Sequence, residues 1–273
     1  MPTLVPKWVR GNEWGILLSP RVKKLHMVGL GMTANTSGVN ITAPVFVVSG
    51  YDDLMANCSK AAGNILVINT PFTEYGITVS IRVNAGNWGL QCGAKAVLIR
   101  TVGPYSMQNP HTGATNASSP IPSAAISLED ASQLARMQAR GQTPIVSIYM
   151  ESWWYPPSPS RNLLIDLVGT ERPNEYVLVS GHGDSWDIAE GAMDDLGGAV
   201  SSWEAVRTLK NLGVKPKRTI RAVVYVFFLV YIGIGNVTII VIINHDMFRF
   251  SLFISLSPIF ISLSVSLFLS IVG

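Results

Sequence analysis

Charge is scarce in this sequence, and cysteine scarcer. Asp, Glu, Lys and Arg supply 14 % of the 273 residues, against roughly 25 % in an ordinary soluble domain. A chain this apolar is not disordered by self-repulsion. The formal net charge is +3, but the Lys and Arg residues are scattered. They form no basic stripe interleaved with aromatics, which argues against nucleic acid as a partner. Two cysteines, Cys58 and Cys92, are too few for a disulfide scaffold or a four-cysteine zinc site. They leave one disulfide open, and spacing does not decide it. No apolar run of signal-peptide length follows the proline-containing start, so the chain reads either as cytosolic or as lacking its natural N-terminus.

The charge is also uneven. After Arg221 the acidic, basic and histidine residues are His245, Asp246 and Arg249 alone. Residues 222–243 and 250–273 carry none, and each is long enough to span a bilayer, which takes about 20 apolar residues. The first 221 residues read as soluble protein and the remainder as lipid-soluble sequence.

Apolar β-branched runs predict strands at 43–49, 64–69, 94–100 and 144–150. Helical spacing predicts helices at 52–62, with Asp52 as N-cap, at 81–92, and at 127–140, with Ser127 as N-cap and Asp130 three residues on. Residues 103–123 form a loop rich in Pro, Ser, Asn and Gly, and YPPSPSR at 155–161 reads as a proline-rich linker and the best domain boundary. Beyond it, strands at 163–168, 176–180 and 219–226 and a helix at 197–212 give the alternation of an α/β sheet.

The chemistry concentrates in SGHGDSWDIAEGAMDDLGG, residues 180–198. A buried strand runs into His182 and Asp184, and ligands of open α/β sheets bind beyond the carboxyl ends of strands. In extended chain His182 and Asp184 face the same side, and a carboxylate orienting a metal-bound imidazole is a common arrangement. Asp194 and Asp195 precede a glycine pair and a helix, where a carboxylate can turn back towards His182.

This stretch resembles the metal motif of zinc aminopeptidases and carboxypeptidases of peptidase family M28. PKWVRG at 6–11, NPHTG at 109–113 and WEAVRTLKNLGVKPKRTIR at 203–221 agree, and the resemblance covers about residues 3–226. It implies an α/β fold: a partial zinc-exopeptidase sheet with an inserted protease-associated domain. The implied order is 1–39 as the start of the peptidase part, 40–155 as the insertion, 156–226 as partial peptidase domain with the metal motif, and 227–273 as the hydrophobic tail. By resemblance His182 is a zinc ligand, Asp194 bridges two zinc ions, and Asp184 orients His182, while Asp195 has no certain role. Gly183 stands where the family usually has a larger apolar residue. The implied reaction is hydrolysis of small peptides, and the implied route is secretory, to the extracellular space or the lysosome.

One departure decides activity. In the family the strand matching 219–226 is followed at once by two glutamates, the general base and a zinc ligand. Here Phe227, Phe228, Leu229 and Val230 follow, and no glutamate occurs after Glu204. Asp246 and His245 do not fit the spacing of the later ligands. The chain therefore reads as the first half of a zinc exopeptidase joined to a foreign apolar tail, with no catalytic residue to name. The alternative is a non-catalytic, membrane-associated binding protein, or a truncated product without function.

Other residues carry weaker signals. Sequons fall at Asn35, Asn40, Asn57, Asn116 and Asn236, with Asn116 in the loopiest setting. Trp153, Trp154 and Tyr155 read as packing beside the linker, Trp186 as support for the site, and His111 as surface. The tail is expected as strand to residue 226, then mostly apolar helix with access to a membrane.

Overall fold

The computed structural model describes residues 2–116, 120–226, 238–244, 249–256 and 259–264. The chain divides into two units, Lys7–Pro156 on the one hand and Met1–Pro6 with Pro157–Gly273 on the other.

The Lys7–Pro156 unit is built, in chain order, from β1 (Pro2–Ser19), β2 (Lys23–Leu25), β3 (Met27–Gly29), β4 (Ile41–Val48), α1 (Tyr51–Ala56), α2 (Cys58–Ala61), β5 (Ile65–Ile68), α3 (Tyr75–Gln91), β6 (Ala96–Arg100), β7 (Ser123–Ile126), α4 (Leu128–Ala139) and β8 (Ile145–Arg161). Its sheet runs β2-β1-β8-β4-β5-β6-β7-β3. The strands β4 to β7 pair in parallel. Both faces of such strands are covered, so they read as unbroken apolar runs. Alternate residues still go to opposite sides. Val45, Val47, Ile65, Val67, Ala96 and Leu98 join one core with Leu134 and Met137 of α4, while Leu66, Ile68, Val97 and Ile99 join a second with Leu54 and Ala85 of α1 and α3.

His26 alone separates β2 from β3, yet these strands stand at opposite ends of the strand order. The sheet therefore curls until its edges meet. Glu13 of β1 accepts from the Gly29 N–H at 3.0 Å, and Arg10 donates to the Gly29 carbonyl. The buried Asp130 carboxylate holds the corner by accepting from the His26 N–H at 2.7 Å and from Lys23 Nζ at 2.5 Å. Ser127 caps α4, its hydroxyl accepting from the Asp130 N–H at 3.1 Å. At β4 the pairing with β8 ends at Pro44. Beyond it the Gln138 side chain accepts from the Val47 N–H at 2.7 Å and donates to the Val47 carbonyl at 2.8 Å, as a neighbouring strand would. A disulfide joins Cys58 to Cys92, tying α2 to the end of α3.

Several expectations change here. Residues 7–39 share the sheet of residues 40–156, so this unit begins at Lys7 rather than at residue 40. The proline-rich stretch is extended chain within β8, and the unit boundary falls inside it, between Pro156 and Pro157. Proline is compatible with strand where its missing N–H is not needed by a ladder. The 81–92 helix begins at Tyr75, and α1 follows Gly50 rather than being capped by Asp52. Asp53 instead accepts from the Ser49 N–H at 2.8 Å.

The other unit contains β9 (Leu163–Leu167), β10 (Arg172–His182), a π turn (Ala192–Leu196), α5 (Gly197–Asn211), β11 (Arg218–Tyr225), β12 (Thr238–Asn244), β13 (Arg249–Leu256) and β14 (Ile259–Ser264). The sheet order is β14-β13-β12-β10-β11-β9, with β10 flanked in parallel by β11 and β12. Ala199, Ser202 and Val206 form the buried stripe of α5. The helix lies so close to β10 that a Cβ on Gly181 would stand 2.3 Å from the Ala199 nitrogen. Arg221 pairs with Asp166 and Arg218 with Glu175, so these cations are structural partners of β9 and β10.

The expected tail helix is not what the described residues form. They are strands, with β12 seated along β10 and β13 and β14 following antiparallel. The Ile and Val residues of TIIVIIN are β-branched and favour strand over helix, and β10 offers them a ladder. Among the described residues no helix is long and apolar enough to cross a membrane. His245, Asp246 and Asn236 lie outside the described residues.

Candidate metal centre

His182 is the last residue of β10, opposite Tyr225 at the end of β11. Its ring is held on both nitrogens. Nδ1 lies 2.9 Å from the Asp184 carbonyl oxygen and 3.2 Å from Asp184 Oδ1. A carbonyl can only accept, so Nδ1 carries the proton. Nε2 then points to Asp194, whose Oδ1 is 2.9 Å away. The His182 side chain is 22 % exposed and that of Asp194 86 %. The imidazole is thus set into the fold while the carboxylate opens to solvent.

Asp195 does a different job from its neighbour. Its Oδ2 accepts from the His182 N–H and its Oδ1 from the Gly198 N–H, both at 3.1 Å. One carboxylate thereby ties the end of β10 to the start of α5, in the manner of a helix-start cap. A Cβ on Gly198 would come 2.2 Å from Asp195 Oδ1, so glycine is what lets the carboxylate in. The sequence carried a signal for only half of this role, the three-residue spacing from Asp195 to the Gly198 N–H at a helix start; the His182 N–H is not a local partner. The Asp194–Asp195 peptide bond is cis.

Burial works against a charge on His182, but the Asp184 carbonyl and the Asp194 and Asp184 carboxylates outweigh it and hold the ring above its ordinary pKa. Tyr225, whose ring centroid is 6.3 Å from that of His182, is pushed up by burial and by the charges of Asp195 and Asp184. The site is therefore acidic in character and favours a cation.

The structure brings His182, Asp184, Asp194 and Asp195 together. Trp186 sits in the loop between His182 and the π turn, 37 % exposed. Trp153, Trp154 and Tyr155 are half-exposed on β8 of the other unit, to which Asn35, Asn40, Asn57, Asn116 and His111 also belong. His111 is exposed, with its ring beside Arg82 and its N–H donating to Thr101 Oγ1 at 2.6 Å. A Cβ on Gly183 would meet only a Val224 methyl closely, at 2.9 Å, so the larger residue of the family needs a small side-chain shift here.

An imidazole nitrogen and a carboxylate oxygen are donors that zinc prefers, but a catalytic zinc takes three protein ligands beside its water. Among the described residues no group of three or more His, Cys, Asp or Glu is placed to hold a metal ion.

Residues 162–226 match the model of peptidase family M28. Carboxypeptidase Q of Bos taurus is 41 % identical over 227 residues, 82 % of this chain and 48 % of that protein. The chain thus spans about half the length of the curated relatives it matches. A peptidase M28 precursor from Shewanella amazonensis SB2B has a similar structure, with TM-score 0.77 and 30 % identity over 82 % of this chain and 53 % of that one. BSAP, a zinc aminopeptidase from Bacillus subtilis, shares the fold at TM-score 0.52 and 23 % identity, covering 81 % of this chain and 51 % of that one.

Proposed function

Because the chain belongs to peptidase family M28, with a strong likeness to carboxypeptidase Q, we propose that His182 and Asp194 are the first part of a zinc exopeptidase centre acting on small peptides. The observation that carries this is the Nε2 to Oδ1 approach of 2.9 Å at the carboxyl end of β10. With Nδ1 protonated against Asp184, Nε2 is the nitrogen left to a metal, which would displace the proton that Nε2 shares with Asp194 Oδ1. In such a centre zinc polarises the peptide carbonyl and lowers the pKa of water. What this chain contributes is the held imidazole, the open carboxylate of Asp194, and the brace of Asp195 that fixes the loop to α5.

The same reading makes this chain catalytically incomplete. The end of β11 is followed by Val226 and Phe227 where a general base belongs, and no glutamate occurs after Glu204. The Lys7–Pro156 unit is then the inserted protease-associated domain, supported by its own core and by the chain's return at Pro157 to the unit it left at Pro6. The largely apolar tail, residues 227–273, is this chain's route to membrane contact.

Zinc titration calorimetry on the full chain, with His182→Ala and Asp194→Ala as controls, tests the proposal. Weak binding lost in both variants, with no turnover of a dipeptide panel in zinc, is expected. Zinc binding untouched by both substitutions overturns the site, and turnover by the wild type overturns the incompleteness.

A further inference from the structure

The sequons are chemically alike in sequence, but the fold treats their asparagines differently. N-glycosylation consumes one hydrogen of the asparagine amide and adds a bulky, solvated oligosaccharide. A glycan is compatible with the native chain only where the amide nitrogen is not already spent and the side chain faces open solvent.

Asn35 fails on both counts. Its Nδ2 donates to the Ser152 carbonyl at 2.8 Å, its Oδ1 accepts from the Ser37 N–H at 2.9 Å, and it is half-buried. Asn57 fails as well. Its Nδ2 donates to the Asp53 carbonyl at 3.0 Å and to Asp53 Oδ1 at 3.1 Å, and Cys58, the middle residue of its sequon, is in the disulfide. Asn116, the favourite by loop composition, is half-buried, with its backbone N–H bonded to the Val83 carbonyl at 3.0 Å. Asn40 alone among these is exposed. It follows a turn in which Val39 N–H donates to the Thr36 carbonyl, and it stands directly before β4. Val39 beside it is 63 % exposed, and nothing lies within 4 Å of a Cβ built on Gly38.

A second observation concerns the compartment. The Cys58–Cys92 disulfide belongs to an oxidising environment, and the endoplasmic reticulum, where disulfides form, is also where asparagine is glycosylated. We propose that Asn40 carries an N-linked oligosaccharide in the folded chain, and that Asn35 and Asn57 do not. This assignment is independent of the metal centre. The glycan would cover Val39 and the turn in front of β4.

The test directs the full chain into the secretory pathway of cultured cells behind a cleavable leader. Molecules with Cys58–Cys92 oxidised and resistant to mild trypsin are isolated. Peptide-N-glycosidase in ¹⁸O-water then marks each formerly glycosylated asparagine for mass spectrometry. The expected result is label at position 40 in most molecules and none at 35 or 57. Asn40→Gln should remove one glycan step in gel mobility, while Asn35→Gln and Asn57→Gln leave it in place. Unlabelled Asn40 in the folded fraction overturns the proposal, as does equal labelling at Asn35 or Asn57. A glycosylated chain that yields no oxidised, protease-resistant fraction also overturns it, because glycan and fold would then not coexist.

Discussion

Replacing Asp130 by Asn should loosen the corner at which the sheet of the Lys7–Pro156 unit closes on itself. The Asp130 side chain is fully buried, and its carboxylate receives Lys23 Nζ, the His26 N–H and His26 Nδ1. The amide keeps the shape but loses the charge and turns one acceptor into a donor. Hydrogen bonds to a charged group contribute about 1.5–3 kcal/mol each, and breaking a buried pair costs about 3–5 kcal/mol. The Lys23 side chain is 30 % exposed and can turn to water, which favours the low end, about 2–3 kcal/mol. Burial alone would push the Asp130 carboxyl up, but Lys23 and the His26 N–H outweigh it and hold it below the ordinary carboxylate value. A depressed folded-state pKa gives stability that is present above the unfolded value, about 3.9, and lost as pH falls through the folded value. Urea unfolding followed by tryptophan fluorescence should therefore show the full penalty at pH 7 and a shrinking gap between wild type and variant below about pH 4. A gap under about 0.5 kcal/mol at pH 7, the usual scatter of a neutral surface change, would refute the reasoning, and so would a gap that widens in acid.

Gly181→Val should destabilise the metal-motif unit by about 1–3 kcal/mol, because the new side chain meets the α5 backbone rather than a movable side-chain tip; thermal unfolding reads it, and an unchanged midpoint would contradict the packing described. Removing the disulfide with Cys58→Ser and Cys92→Ser should cost about 4 kcal/mol on a loop-entropy reckoning for a sequence separation of 34. The wild type under reductant should fall to the stability of the double variant, and a wild type indifferent to reductant would show that the bridge contributes nothing.

How much of this was legible depended on where the deciding partner lay. ILVI and AVLIR announced β5 and β6 because strands covered on both faces keep only apolar residues. The Ser127 cap was legible because its partner is three residues away. β1 was not, since PTLVPKWVRGNEWGILLS alternates weakly and owes its strand state to β2 and β8. The PPSPS of β8 was read as linker because proline signals loop more often than extended chain. In the tail, a charge-free run of Ile, Val, Phe and Leu fits helix and buried strand equally, and the ladder with β10 decided it. At the metal motif, His182, Asp184 and Asp194 were visible as a pattern. Asp195 was hidden beside Asp194, because its role needs two N–H donors that meet only when the end of β10 and the start of α5 are brought together.

The Gln138 side chain that stands in for a strand at Val47 has a consequence for how the chain is made. Guard and guarded backbone are 91 residues apart in sequence. A ribosome adds roughly 5–20 residues per second, so this part of β4 emerges on the order of ten seconds before its cover exists. During that interval the bare N–H and carbonyl of Val47 are a template for any passing strand. Vectorial synthesis therefore makes the first half of this unit the dangerous half, and the arrival of α4 the moment at which a nascent chain stops being adhesive.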